Sequence, residues 1–206
     1  MVAFGIALLL VALLSAFAGA AWARAVCQRR WAQHLNQHAL RDAVTGLQNQ
    51  SSLLETLAQT LSLADRLRHP VTVLMLEIDS YKQLAAQETP ENMVRVVNTL
   101  AQRMRQRVRT HDVLGRWDEA HFFAILPDTD VASALVLVED LRELCATQAI
   151  DVEGRTMTVT LSTGVYGRSP TEAKPLHDMA AEMVVAAQRA LEATAADGPG
   201  RIEIEP

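Results

Sequence analysis

The hydrophobic pattern changes character at Arg24. Val2 to Ala23 (VAFGIALLLVALLSAFAGAAWA) carries no charged side chain, and a helix of that length spans the roughly 30 Å hydrocarbon core of a bilayer. Arg24, Arg29 and Arg30 follow at once, and no Lys or Arg precedes the run. The charge bias predicts one transmembrane helix over residues 1–23, with the remainder of the chain in the cytoplasm. Trp22 and Trp31 suit the membrane interface. A cleaved secretory leader is the competing reading, because Ala21-Trp22-Ala23 resembles a small-x-small cleavage site, but the charged n-region is missing. Residues 24–41 read as a polar juxtamembrane helical linker with scattered apolar residues (Val26, Trp31, Leu35, Leu40), able to pair with a second copy.

Past the linker, helical and strand periods alternate. A helix is expected near Ser51 to Arg68, then an apolar strand from Val71 to Ile78 ended by Asp79-Ser80. Pro90 and Glu91 open a long amphipathic helix (Met93, Val96, Val97, Leu100, Met104, Val108). Val113 to Trp117 and His121 to Leu126 bracket the polar turn Asp118-Glu119-Ala120, a hairpin pattern. Pro127 to Asp130 caps a helix through about Cys145, and Thr156 to Val165 alternates as one strand. Pro175 to Ala195 is helical, and Arg201 to Ile204 makes a short last strand. This order predicts an α/β domain over residues 42–206, with a mostly antiparallel central sheet flanked by helices.

Composition narrows the function classes. A chain of 206 residues holds one membrane segment and one domain. A net charge of -5 argues against a duplex-binding protein held by phosphate contacts, so no nucleic-acid partner is expected. Cys27 and Cys145 match neither a metal-ligand spacing nor a disulfide framework. His34 and His38 share a helix face but have no third ligand nearby, so the pair reads as solvated.

Four segments resemble, in order, the motifs of the GGDEF family of diguanylate cyclases. DAVTGLQNQ (Asp42 to Gln50) resembles D-x-L-T-G-L-x-N-R, and LEIDSYKQL resembles L-D-I-D-x-F-K-x-I. GRWDEAHFFAILPDTD resembles G-R-Y-G-G-D-E-F-x-x-L-L-P-D-T-D, and TVTLSTGV resembles V-T-V-S-I-G-V. The resemblance implies a palm-like fold related to nucleotidyl cyclases, in which two domains normally meet, each with a GTP, to form cyclic di-GMP.

That reaction needs two metal ions held by carboxylates. Glu77 stands at one family ligand position, a vestigial and longer carboxylate that could still reach a cation. With Arg116 and Phe122 as anchors, Ala120 and His121 fall on the acidic pair of the signature, and alanine cannot bind a metal. Asp118 and Glu119 replace the two glycines and put negative charge where a triphosphate would lie. The positions that contact guanine correspond to Ala85 and Val94, and the later Lys and Arg to Ala195 and Pro199. Asp79 and Lys82 persist; without a nucleotide, Glu77, Asp79 and Lys82 read as a solvated strand end. The expectation is a degenerate signature (Asp118, Glu119, Ala120, His121, Phe122), with no catalytic residue, metal or cofactor.

Arg109-Thr110-His111-Asp112 matches the family's inhibitory R-x-x-D site in form and spacing. Arg109 can fork onto a guanine edge or a phosphate, and Asp112 can accept from guanine N–H groups. Against this, Arg103, Arg105, Arg107 and Arg109 also read as a solvated basic helix end, and Asp140 stands where the family often supplies a helper arginine. Two functions follow from the resemblance. One is an inactive, single-pass inner-membrane signalling protein that reads cyclic di-GMP through Arg109 and Asp112. The other is a nucleotide-independent module that binds a protein partner or a second copy of itself.

Overall fold

In a computed structural model, the described residues are 40–168, 176–195 and 198–205. The transmembrane helix and the linker up to Ala39, with His34, His38 and Cys27, lie outside them. No helix of the described residues is long and apolar enough to cross a membrane.

The first motif folds because each of its conserved-looking letters satisfies a neighbour. Asp42 Oδ1 accepts from both the amide and the hydroxyl of Thr45 at 2.7 Å. Gly46 takes a φ of +67°, where a side chain would be strained, and Leu47 turns inward. Asn49 then caps helix α1 (Gln50–Leu67) by accepting from the amide of Ser52. The loop docks on the sheet through the amide of Arg116, which donates to the Gln48 carbonyl at 2.7 Å.

Strand β1 (Val71–Ile78) is buried almost throughout, as its largely apolar run requires. A short helix α2 (Tyr81–Gln87) and a longer α3 (Pro90–Arg105) follow, then β2 (Val113–Arg116), β3 (His121–Pro127) and α4 (Val131–Thr147). The chain continues through β4 (Ile150–Val152), β5 (Arg155–Met157), β6 (Leu161–Arg168), α5 (Leu176–Thr194) and β7 (Ile202–Ile204). The five-stranded sheet runs β2-β3-β1-β6-β7. Its pairings are antiparallel except β6 with β7, so the sheet is mixed, and α5 provides the crossover that a parallel pair needs.

Alternation along β1 splits the core. Val71, Val73 and Met75 face α1 and α5, packing with Leu53, Leu57, Phe123 and Met183. Leu74, Leu76 and Ile78 face α3 and α4, packing with Val96, Leu100, Phe122 and Val138. Gly164 lets the backbone of α5 touch the sheet: a Cβ there would fall inside contact distance of the Ala187 carbonyl and the Leu191 amide.

The expected strand over Thr156 to Val165 is two strands in different sheets. Arg155–Met157 pairs with Ile150–Val152 as a separate hairpin, and only Leu161 onward joins the main sheet. The break arises because Asp79 captures the intervening chain: its amide donates to the Thr160 carbonyl, and its carboxylate accepts from the Thr160 hydroxyl.

Candidate functional site

The hairpin tip, the end of β1 and helix α2 enclose an open cleft of about 890 Å3, lined by Glu77, Tyr81, Lys82, Ala85, Asp118, Glu119, Ala120 and His121 among others. Register places its members. Arg116 pairs with Phe122 across the hairpin, and Glu77 pairs with His121 on β3 and with Ser162 on β6. Glu77 and His121 therefore project from the same face of the sheet.

The turn is closed by Trp117, whose amide donates to the His121 carbonyl at 3.0 Å. No residue between Trp117 and His121 has a positive φ, so this turn needs no glycine. Asp118 Oδ1 accepts from the amides of Ala120 and His121 at 2.9 and 3.0 Å. His121 Nδ1 lies 2.7 Å from the same oxygen, while its Nε2 stands 3.9 Å from Glu77. The imidazole is thus held between two carboxylates. The hydrogen bond to Asp118 raises the pKa of His121; burial opposes this, and the charges of Asp118 and Glu77 reinforce it. Burial alone would raise Asp118, but the His121 ring and the two turn amides outweigh it and hold the carboxyl below its usual range.

Arg116 braces the turn from behind. Its guanidinium is buried, donates through Nη2 to the Glu119 carbonyl and lies 4.6 Å from the centre of the Phe122 ring. Burial lowers its pKa, against the pull of Asp42 and other acids. Nothing in the sequence pattern signalled this contact or the Asp118–His121 pair, since both depend on which way side chains turn at the tip.

Asp79 corrects the expectation of a solvated strand end. Its carboxylate accepts from Thr160 Oγ1 at 2.5 Å, Ser162 Oγ at 2.6 Å and the amide of Gly200 at 2.8 Å. It ties β1, β6 and the segment before β7 together and is spent on the fold. The two-residue spacing of Thr160 and Ser162, which puts both hydroxyls on one side of an extended chain, is the signal that could have found it. Lys82 remains exposed at the cleft. Of the other aligned positions, Ala85 lines the cleft, whereas Val94, Ala195 and Pro199 are not among its lining residues.

The Ala120 side chain offers no donor atom, His121 Nδ1 is engaged by Asp118, and among the described residues no group of three or more His, Cys, Asp or Glu is placed to hold a metal ion.

The R-x-x-D segment forms a turn between α3 and β2. Asp112 Oδ2 accepts from the Arg109 amide at 2.8 Å, and its side chain is almost wholly buried, with Oδ1 lacking a hydrogen-bond partner. The exposed Arg109 guanidinium has no hydrogen-bond or ion-pair partner among the described residues. Asp140 is paired with Arg107 at 3.0 Å. Cys145 is buried and free, its thiol pushed up to about 11 by burial.

Residues 39–200 match the family model described as "Diguanylate cyclase, GGDEF domain". The chain belongs to the GGDEF family. It is 28% identical over 137 residues to diguanylate cyclase DgcP of Pseudomonas aeruginosa, covering 66% of this chain and 20% of the relative. It is 31% identical over 134 residues to the response regulator PleD of Caulobacter vibrioides, covering 64% and 30%. The chain therefore spans less than a third of these curated relatives. Among solved structures, the FimX GGDEF domain of P. aeruginosa superposes with a TM-score of 0.73 at 25% identity, covering 80% of this chain and 98% of that one. Diguanylate cyclase SiaD of the same organism, in complex with its activator SiaC, gives 0.74 at 26% identity, covering 93% and 71%.

The paired charges in this GGDEF tip give a pH signature. The raised pKa of His121 contributes stability that is complete below its unfolded value, about 6.5, and is lost as pH rises through the folded value. The lowered pKa of Asp118 contributes stability present above its unfolded value, about 3.9, and lost as pH falls through the folded value. The melting temperature of wild type minus that of His121→Ala should be largest between about pH 4 and about pH 6.5 and shrink in alkali. A difference that stays constant into alkali would contradict the pairing.

Proposed function

We propose that this chain is a catalytically inactive GGDEF-domain signalling protein of cyclic di-GMP pathways, anchored in the inner membrane by residues 1–23 with its domain in the cytoplasm. It acts by binding rather than by synthesis. The observation that carries this reading is the hairpin tip: Ala120 stands at a ligand position, and the His121 imidazole is clamped to Asp118 beside Glu77. Catalysis by the family's route needs carboxylates free to hold cations against the developing charge of an α-phosphate. Here one position has no donor, and Asp118 and Glu119 add negative charge to the cleft. The purified full chain, given GTP with Mg²⁺ or Mn²⁺, should form no cyclic di-GMP above a control without protein. Product that rises with protein concentration would overturn the reading.

What the domain binds divides the proposal in two. The exposed guanidinium of Arg109, in the same turn as Asp112, favours a cyclic di-GMP receptor. The Arg107–Asp140 pair, which puts an acid where a helper arginine would serve, favours a module that contacts a protein partner. Calorimetric titration with cyclic di-GMP separates them: a receptor binds, and Arg109→Ala loses tenfold or more, as removing a charge-assisted contact worth about 1.5 kcal/mol or more requires. No heat leaves the partner-binding module.

A further inference from the structure

The donors of the hairpin tip are already occupied. The amides of Ala120 and His121 converge with the Nδ1 edge of the His121 ring on the Asp118 carboxylate, at 2.7 to 3.0 Å from Oδ1. Adjacent amides with a third N–H donor form the kind of concavity that receives phosphate oxygens. Asp118, Ala120 and His121 all line the cleft, as does Lys82. The carboxylate is therefore an anion, supplied by the chain, on donors that belong to residues lining the cleft.

The turn is also held by contacts that do not involve that carboxylate. The Trp117 amide donates to the His121 carbonyl, the Ile78 amide donates to the Ala120 carbonyl at 2.9 Å, and Arg116 donates to the Glu119 carbonyl. These contacts pin the backbone on both sides and from behind. Removing Asp118 vacates the donors and leaves the turn that presents them in place.

We infer that Asp118 is a built-in ligand, whose carboxylate fills an anion site at the hairpin tip and closes the cleft to phosphates. This rests on the inactive reading above and deepens it: synthesis is blocked by an occupant as well as by missing metal donors. An ordinary capping aspartate would engage backbone amides alone. Here it also draws in the imidazole, so the two turn amides and a ring N–H that lie beside the cleft are spent on a side chain of the same turn.

The test is calorimetric titration of the purified full chain with pyrophosphate, without metal, near neutral pH. Wild type and Asp118→Asn, which keeps an acceptor in the site, should give little heat. Asp118→Ala should bind pyrophosphate about tenfold or more tighter than wild type, the change expected when a multiply charged acceptor gains charge-assisted hydrogen bonds. Asp118→Gly carries the same expectation if the alanine variant does not fold, and circular dichroism checks both. Adding His121→Ala should reduce the gain. A folded Asp118→Ala or Asp118→Gly variant that binds no tighter than wild type overturns the inference, as does a wild type that binds as tightly as the variants. Cyclic di-GMP formation by wild type would overturn the inactive reading instead, so the two failures are distinguishable.

Discussion

Asp79→Ala should lower the stability of the domain by about 2–3 kcal/mol, because it removes a carboxylate that accepts from two hydroxyls and an amide. The figure is kept below the sum of three charge-assisted bonds because Asp79 is only half-buried and water can reach the donors it leaves. For a domain of this size that amounts to a fall in melting temperature of roughly 5–10 °C. Asp79→Asn retains one acceptor oxygen and should lose less. The expectation is specific to a structural role: Lys82→Ala, at the same end of the sheet but exposed, should shift the melt little. An Asp79→Ala variant that melts with wild type would mean that the three donors find other partners cheaply.

Gly164→Ala should be at least as damaging, by about 3 kcal/mol or more, for a steric reason. The added methyl would meet the backbone of α5 at Ala187 and Leu191, including Leu191 Cα at 2.9 Å. Backbone cannot rotate away as a side chain can, so helix α5 must shift off the sheet, loosening its packing of Met183, Ala187 and Leu191 against Val73 and Met75. Thermal melting with loss of near-ultraviolet ellipticity is the measurement. A variant with wild-type melting would show that the helix can move without cost.

The elements that could be read from the sequence were those with a strong period and a cap. Helix α3 announced itself through Pro90, Glu91 and its apolar stripe, and β1 through a largely apolar run. Helix α2 was missed because its seven residues bury none completely and Ser80, which precedes it in left-handed backbone, gives no side-chain cap. The β4–β5 hairpin was missed although Glu153 and Gly154, both with positive φ, form the two-residue turn that joins such strands. Alternation through Thr156 to Val165 concealed the change of sheet, because a strand period says nothing about which partner is bonded. At the candidate site, that Ala120 and Ala85 stand where the cleft forms was legible from motif position alone. The clamp on His121 and the three donors on Asp79 were not, since they join side chains whose directions only the folded chain fixes, in the case of Gly200 across 121 residues.

Strand β2 is only four residues long, about 13 Å. At one end it leaves the Arg109–Asp112 turn, and at the other it delivers Arg116 to the brace behind Asp118 and Glu119. The two turns thus share a strut, fixed along its length to β3 by pairing from Val113–Ile125 to Arg116–Phe122. No loop separates the two turns; the chain between them is strand, hydrogen-bonded to β3. Arg109 and the brace on the Glu119 carbonyl thus stand near the two ends of one paired strand.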